Sequence, residues 1–316
     1  MIKNLLKHPL IDDYKAVSVN TYITMRKKVF PNQQDDFTLL EGFKTMIVFS
    51  LSYPKDQEKF KGKGHGLISR YSYGTDYHLV YRLLFSDLEE AFIKEGIQAK
   101  GYADISPIDE RFAGLLAGLG FMGKNQLLIH PVHGTYHFLG VLLIDQDFTT
   151  TPYIEDSCGD CTLCIDACPP SALHEGGYDK RKCTSYVTQM KDVLTAADIK
   201  PMKTMLFGCD ICQRVCPKNK AIKSNYRDVF KPDENSQLHL ETLLQKSNKE
   251  ISRLYKDYAF SYRGGLVLKR NAFVLLYNQR QTQSLSLMKE VYEQYKHVAW
   301  FEETARFILN EMEKKS

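Results

Sequence analysis

"DSCGDCTLCIDACPPSALHE", residues 156–175, places four of the chain's eight cysteines within eleven positions and follows the last with proline. The spacing is Cys158-x2-Cys161-x2-Cys164-x3-Cys168-Pro169. Thiolates spaced this way suit an iron–sulfur cube, with three close ligands on one cluster and the fourth reaching away. A second group, Cys209-x2-Cys212-x3-Cys216-Pro217, repeats the end of the motif, with Leu206 where a leading cysteine would stand. Cys183 stands alone between the groups. Eight thiolates match the need of two four-ligand cubes.

In two-cluster ferredoxins the cysteine before proline ligates the other cluster. Applied here, one cluster takes Cys158, Cys161, Cys164 and Cys216. The other takes Cys209, Cys212, Cys168 and Cys183. Structural zinc also accepts four thiolates and C-x2-C pairs. The tripled spacing and both Cys-Pro endings favour the clusters.

The rest of the chain bounds the class. Its 316 residues can bury a sizeable core in two or three domains, and 43% hydrophobic with 25% charged residues is an ordinary globular balance. No apolar run is long enough to span a membrane. The opening MIKNLLKHPLIDDYK lacks a long apolar core, a small-residue cleavage site and paired arginines, so a cytoplasmic protein is expected. In a reducing compartment, clustered cysteines read as metal ligands rather than disulfides. Residues 238–316 hold 13 Lys+Arg against 9 Asp+Glu, so the net charge of +4 sits wholly there. A polyanionic partner fits that excess, as does a plain solvated surface.

"TMIVFSLSYP" (45–54) and "GIQAKGYAD" (96–104) read as buried strands, and "NQLLIHP" with "YHFLGVLLID" (125–145) as a hairpin closed by Val-His-Gly. Val80, Leu83, Leu84, Leu88, Ala91 and Phe92 follow helical spacing, with Gly96 as the stop. "RGGLVLKRNAFVLLYNQ" and "HVAWFEETARFILNEM" carry helical apolar stripes. "GLGFMG" (118–123) satisfies G-x-G-x-x-G, but it follows a helix and precedes a strand, the reverse of a dinucleotide site. His130, His133 and His137 straddle the turn without acidic company, which argues against a metal there.

Three further stretches carry a resemblance. "GYADISPIDERFAGLLAGLGFMGKNQLL" (101–128), "ISRYSYGTDYH" (68–78) and "CDICQRVCPKN" (209–219) are similar to segments of the epoxyqueuosine reductases, in the same order and spacing. That family is related to cobalamin-dependent reductive dehalogenases. The resemblance implies a cobalamin and two [4Fe-4S] clusters, and reduction of epoxyqueuosine to queuosine at the tRNA wobble position. Two electrons and two protons arrive and the oxygen leaves as water.

By the same resemblance Asp104 is the proton donor, its carboxyl raised in pKa by burial. Ser106-Pro107 would cap the helix that follows, with Asp109 at its third position. Ser69, Arg70, Asn125, Leu128, Leu139, Ser185, Asp210 and Ile211 would join Asp104 against the cobalamin. His78 would line the substrate site. Gln189, Lys191, Arg263, Lys269 and Arg270 would contact the anticodon loop, the basic ones on phosphates. The chain departs from the family at Ile105 and Ser106, and at Gln33, where an arginine is expected.

The expected architecture is an α/β cobalamin-binding catalytic domain (1–150), a ferredoxin-like domain with two [4Fe-4S] clusters (151–232) and a HEAT-like helical tail that contacts tRNA (238–316). The expected protein is a cytoplasmic monomer fed by an external low-potential electron donor, with no membrane contact. The alternatives are a cytoplasmic cobalamin-dependent reductive dehalogenase and a ferredoxin-type electron carrier.

Overall fold

A computed structural model describes residues 1–56, 59–104, 106–153, 156–222 and 226–314. Ile105 lies outside them. The chain divides into two compact units, each drawing on three segments: Met1–Pro54, Tyr77–Cys161 and Cys216–Val229 in the first, and Lys55–Asp76, Thr162–Val215 and Phe230–Ser316 in the second.

The first unit is built on a four-stranded antiparallel sheet in the order Asp13–Ser18, Thr45–Ser52, His137–Ile144, Ala99–Tyr102. Every residue of Thr45–Ser52 is buried. A central strand covered on both faces reads as a continuous apolar run rather than an alternation. On one face lies helix Tyr77–Lys94, burying Val80, Tyr81, Leu84, Phe85, Leu88 and Phe92. Two glycines let it approach: a Cβ on Gly101 would sit 2.1 Å from Phe85, and one on Gly140 2.4 Å from Tyr81. Helices Val19–Val29 and Glu110–Leu116 share a core with Met46, Val48, Val141 and Leu143 on the other face.

Two expectations change here. Leu83 does not join the buried stripe; it is 65% exposed. The hairpin does not form either, because Leu128–Ile129 pairs with Phe121–Met122, while His137–Ile144 enters the main sheet. Residues 141–144 are paired on both sides, whereas 137–140 pair with Ser52–Phe49 and the Leu128 carbonyl accepts from the His137 ring instead of a strand N–H. A single bridge between His130 and Gly134 closes the turn instead.

The second unit has a three-stranded sheet in the order Met205–Phe207, His65–Ile68, Gln237–His239, the first pair parallel and the second antiparallel. Its core is helix Gly265–Asn278, buried continuously from Val267 to Leu276. Helices Leu240–Gln245, Asn248–Leu254, Leu285–Tyr295 and Ala299–Glu313 supply the surrounding apolar faces. No helix among the described residues is long and apolar enough to cross a membrane.

Candidate functional site

None of the eight cysteines is joined in a disulfide. In the second unit, burial pushes the Cys209 thiol up to about 12, and Asp210, Cys183 and Cys168 push the same way. Cys212 is raised well above its ordinary value by burial and by Cys209 and Cys183 among its neighbours. In the first unit Cys216 is raised by burial and by Cys158 and Cys161, against hydrogen bonds from the backbones of Lys218 and Asn219. Thiols so crowded resist ionising together unless a cationic centre binds them, and the donor set therefore fits iron. The backbone N–H of Lys124 donates to Cys158 Sγ at 3.4 Å, a bond of the kind that tunes cluster potential.

Asp104 stands just beyond the strand Ala99–Tyr102, in the left-handed backbone region at φ +61°. Its side chain is 59% exposed, with Oδ2 3.3 Å from His78 Nε2. The Tyr77 hydroxyl donates to the same oxygen. Tyr77 is itself stacked between His78 and Phe138, with ring centroids at 4.1 and 4.4 Å. A cavity of about 360 Å³ opens beside them, lined by His78, Tyr81, Arg82, Lys100, Tyr102 and Ala103 among others.

The pKa pattern differs from expectation. The hydrogen bond to His78 outweighs burial and, with that from Tyr77, holds the Asp104 carboxyl below its usual range. The raised carboxyl is Glu110, pushed up to about 8 by burial, with the Asp104 and Asp109 charges acting in the same direction. Glu110 Oε1 accepts the Asp104 backbone N–H at 2.6 Å. Sequence reasoning passed over Tyr77 and Glu110. The available signal was a glutamate in the first turn of the helix after the aspartate.

The helix cap also moves. Asp109, not Ser106, caps Glu110–Leu116, accepting from the Phe112 N–H at 3.1 Å. A first-turn start at 107 is displaced because Asp109 is already held by Arg26 Nη1 at 3.1 Å and by its own N–H to the Tyr22 hydroxyl at 2.9 Å. Gln33, where an arginine was expected, accepts from Arg26 Nη2 at 2.5 Å.

Of the residues expected on the cobalamin, the first unit supplies Asn125, Leu128 and Leu139. Asn125 is 6% exposed; its Oδ1 accepts from the Leu127 N–H, while its Nδ2 is buried with no partner among the described residues. An amide donor left over in this way fits a polar ligand group. Leu128 is buried and Leu139 is packed at the edge of the core. The glycine loop has an internal reason as well, since a Cβ on Gly120 would meet the Ile129 carbonyl oxygen at 2.3 Å.

The second unit supplies the rest. The Ser69 hydroxyl donates to Asp210 Oδ1 at 2.5 Å, and the Arg70 N–H donates to Oδ2 at 3.2 Å, all three residues buried. Ile211 opens the short helix Ile211–Arg214. The Ser185 carbonyl accepts from Thr188 and from Gln189 Nε2 at 2.8 Å, and Gln189 Oε1 accepts from the Tyr262 hydroxyl at 2.8 Å. Lys191 and Arg263 are exposed, the latter 4.8 Å over the Tyr262 ring.

Lys269 and Arg270 correct the sequence reading. Both are buried, at 1% and 0% exposure, and so are unavailable to a phosphate. Lys269 Nζ donates to the Leu244 carbonyl at 2.6 Å, and burial pulls it down to about 8. Arg270 donates to the carbonyls of Met190, Asp192 and Val187 at 2.7–3.1 Å, and burial pulls it down to about 9. It braces the loop that carries Gln189 and Lys191 rather than reaching solvent.

The histidines are structural. His130 does have acidic company, 3.0 Å from Asp13. His137 is buried between Ser50 and the Leu128 carbonyl. Among the described residues no three His, Cys, Asp or Glu side chains close around a single-ion site.

Known proteins resemble this chain throughout. Residues 157–219 match the family described as 4Fe-4S double cluster binding domain, and residues 35–105 match the family Epoxyqueuosine reductase QueG, DUF1730. The chain is 34% identical over 256 residues to the epoxyqueuosine reductase of Staphylococcus aureus, spanning 78% of this chain and 67% of that protein. It is 34% identical to that of Leadbetterella byssophila, spanning 78% and 82%. Among solved structures, the epoxyqueuosine reductase from Streptococcus thermophilus superposes at TM-score 0.86 with 28% identity, over 100% of this chain and 90% of that one. An epoxyqueuosine reductase with a tRNA-Tyr epoxyqueuosine-modified stem loop gives 0.85 with 26% identity, over 98% and 88%.

Proposed function

The chain belongs to the epoxyqueuosine reductase family, and from that premise we propose that it reduces epoxyqueuosine to queuosine in the anticodon of tRNA. The observation that carries this reading is Asp104, with Tyr77 and His78 both on Oδ2 and its neighbours His78 and Ala103 lining a cavity. The reaction consumes two electrons and two protons, and the oxygen leaves as water. An alkoxide leaves poorly, so an acid must stand beside it.

The Asp104 and His78 pair holds that proton. With the imidazole protonated, the 3.3 Å contact is an ion pair whose proton passes through the carboxylate to the departing oxygen. Tyr77 fixes the carboxylate's direction through its stack on Phe138. Asp104 is exposed enough to be reprotonated from water between turnovers.

Electrons would enter through the two [4Fe-4S] clusters of residues 157–219. One would be held by Cys158, Cys161, Cys164 and Cys216, the other by Cys168, Cys183, Cys209 and Cys212. A cobalamin, when bound, would supply low-potential cobalt chemistry at the epoxide-bearing ring. Ser69, Arg70, Asp104, Asn125, Leu128, Leu139, Ser185, Asp210 and Ile211 are its candidate holders by resemblance; the spare Asn125 amide supports the fit. Gln189, Lys191 and Arg263 would meet the anticodon loop. On this reading residues 1–150, 151–232 and 238–316 are functional divisions for cofactor, clusters and tRNA. The enzyme would work as a cytoplasmic monomer with an external low-potential donor.

The test is anaerobic reconstitution with iron, sulfide and cobalamin, followed by a corrinoid spectrum and an assay of epoxyqueuosine-containing tRNA under strong reductant. Loss of the epoxide with bound corrinoid supports the reading. Cluster absorbance without corrinoid binding would make the protein an electron carrier, and organohalide turnover without tRNA turnover would make it a dehalogenase.

A further inference from the structure

Glu110 has no role in the chemistry above, yet its carboxyl is bound to the backbone of the residue that has the central one. Asp104 sits at φ +61°, a conformation disfavoured for a residue with a Cβ that persists where its surroundings impose it. One such constraint is the 2.6 Å hydrogen bond from its N–H to Glu110 Oε1. Glu110 is well placed to impose it. It is the first residue of helix Glu110–Leu116, whose cap Asp109 is tied to Arg26, and Arg26 is tied in turn to Asp35. A helix anchored at its cap is a firmer base than the loop it holds.

We propose that Glu110 is a positioning residue: by accepting the Asp104 N–H it holds the acid loop with the aspartate turned toward Tyr77 and His78. The inference rests on the reductase reading for the role of Asp104, but the tether itself does not.

The tethering carboxyl is a weak acid in this setting. Glu110 is faced by the carboxylates of Asp104 and Asp109, by His78 and by the buried hydroxyl of Tyr81, while Arg111 acts on Asp104. Burial and the two carboxylates push Glu110 up to about 8, so at neutral pH it is an uncharged acceptor. A carboxyl raised above its ordinary value in one arrangement means that the arrangement takes up a proton. Burial and the two carboxylates therefore favour the held loop at low pH and weaken it as pH rises toward about 8, while the Asp104 N–H acts the other way because its bond favours the ionised carboxyl.

Two variants test this. Glu110→Ala removes the acceptor, whereas Glu110→Gln keeps a neutral carbonyl in place. Amide-resolved hydrogen exchange on the cluster-loaded chain, without tRNA, should show the Asp104 N–H exchanging about tenfold or more faster in E110A. E110Q should return it to within about threefold of the parent. In turnover, E110A should lower kcat by about tenfold or more with KM for tRNA within about threefold, and E110Q should restore kcat and remove the decline as pH rises toward about 8. Unchanged exchange in E110A, or E110Q as impaired as E110A, would overturn the proposal. Exchange needs neither substrate nor corrinoid, so an inactive parent protein would sink the reductase reading and leave the tether to be judged on exchange alone.

Discussion

Arg26 Nη1 lies 3.1 Å from Oδ2 of Asp109, and through that contact the helix behind the candidate acid is fixed to the N-terminal part of its unit. The same guanidinium binds Asp35 at 2.9 Å and packs 4.2 Å over the Phe30 ring. Replacing it with alanine leaves two half-buried carboxylates unpaired. Arg26→Ala is expected to cost about 2 kcal/mol and to lower Tm by about 4–8 °C in a thermal melt.

Asp104→Asn keeps the shape of the side chain and removes the acid. Turnover should fall by about a hundredfold or more, the range of general acid catalysis, with both cluster absorbances unchanged. Near-parental turnover would take the proton-donor role away from this residue.

Cys183 acts on both Cys209 and Cys212, and Cys168 acts with it on Cys209. Cys183→Ala should therefore cost one cluster and spare the other, with iron falling from about eight to about four per chain on analysis of anaerobically reconstituted protein. Loss of all the iron, or of none, would refute the assignment of ligands.

The two basic positions of the tail should behave oppositely. Arg270→Ala strands three buried carbonyls and is expected to cost at least about 3 kcal/mol, seen as a Tm lower by about 6 °C or more. Arg263→Ala should leave Tm unchanged, weaken tRNA binding, and reduce the salt dependence of the binding constant by about one ion.

His137 sets a pH dependence of stability. Burial, with His130 next, pulls its imidazole down to about 3. Below about pH 6.5 the unfolded chain takes up a proton that the folded site refuses until about pH 3, so stability drops as pH falls through that window, by about 1.4 kcal/mol per unit from this group. His137→Gln should melt lower at pH 7.5 but show a shallower loss of Tm between pH 6.5 and 5.

What the sequence disclosed was whatever depends on local spacing. The cysteine intervals in 158–168 and 209–216, which lie in the stretch matching the 4Fe-4S double cluster family, are set along the chain, and helix Tyr77–Lys94 repeats its apolar positions within one element. What it hid depends on approach in space. The Glu110 carboxyl meets the Asp104 N–H across a turn, and Tyr77 gains its role from stacking on Phe138, which is distant in sequence. Lys269 and Arg270 were misread because charge suggests water. Their setting, "GLVLKRNAFVLLYN", is apolar on all sides and announces an interior helix whose cations must find carbonyls. Ser106 looked like a cap by type; Asp109 is the cap because Arg26 and Tyr22 hold it.

Helix Gly265–Asn278 lends its flank to Met205–Phe207 and its Asn271 amide to the Thr188 and Leu206 carbonyls. Pruning the carboxyl-terminal stretch to obtain a minimal redox module would thus remove the wall against which the second cysteine motif is built. The shortest version of this protein able to keep its iron must retain residues that never touch it.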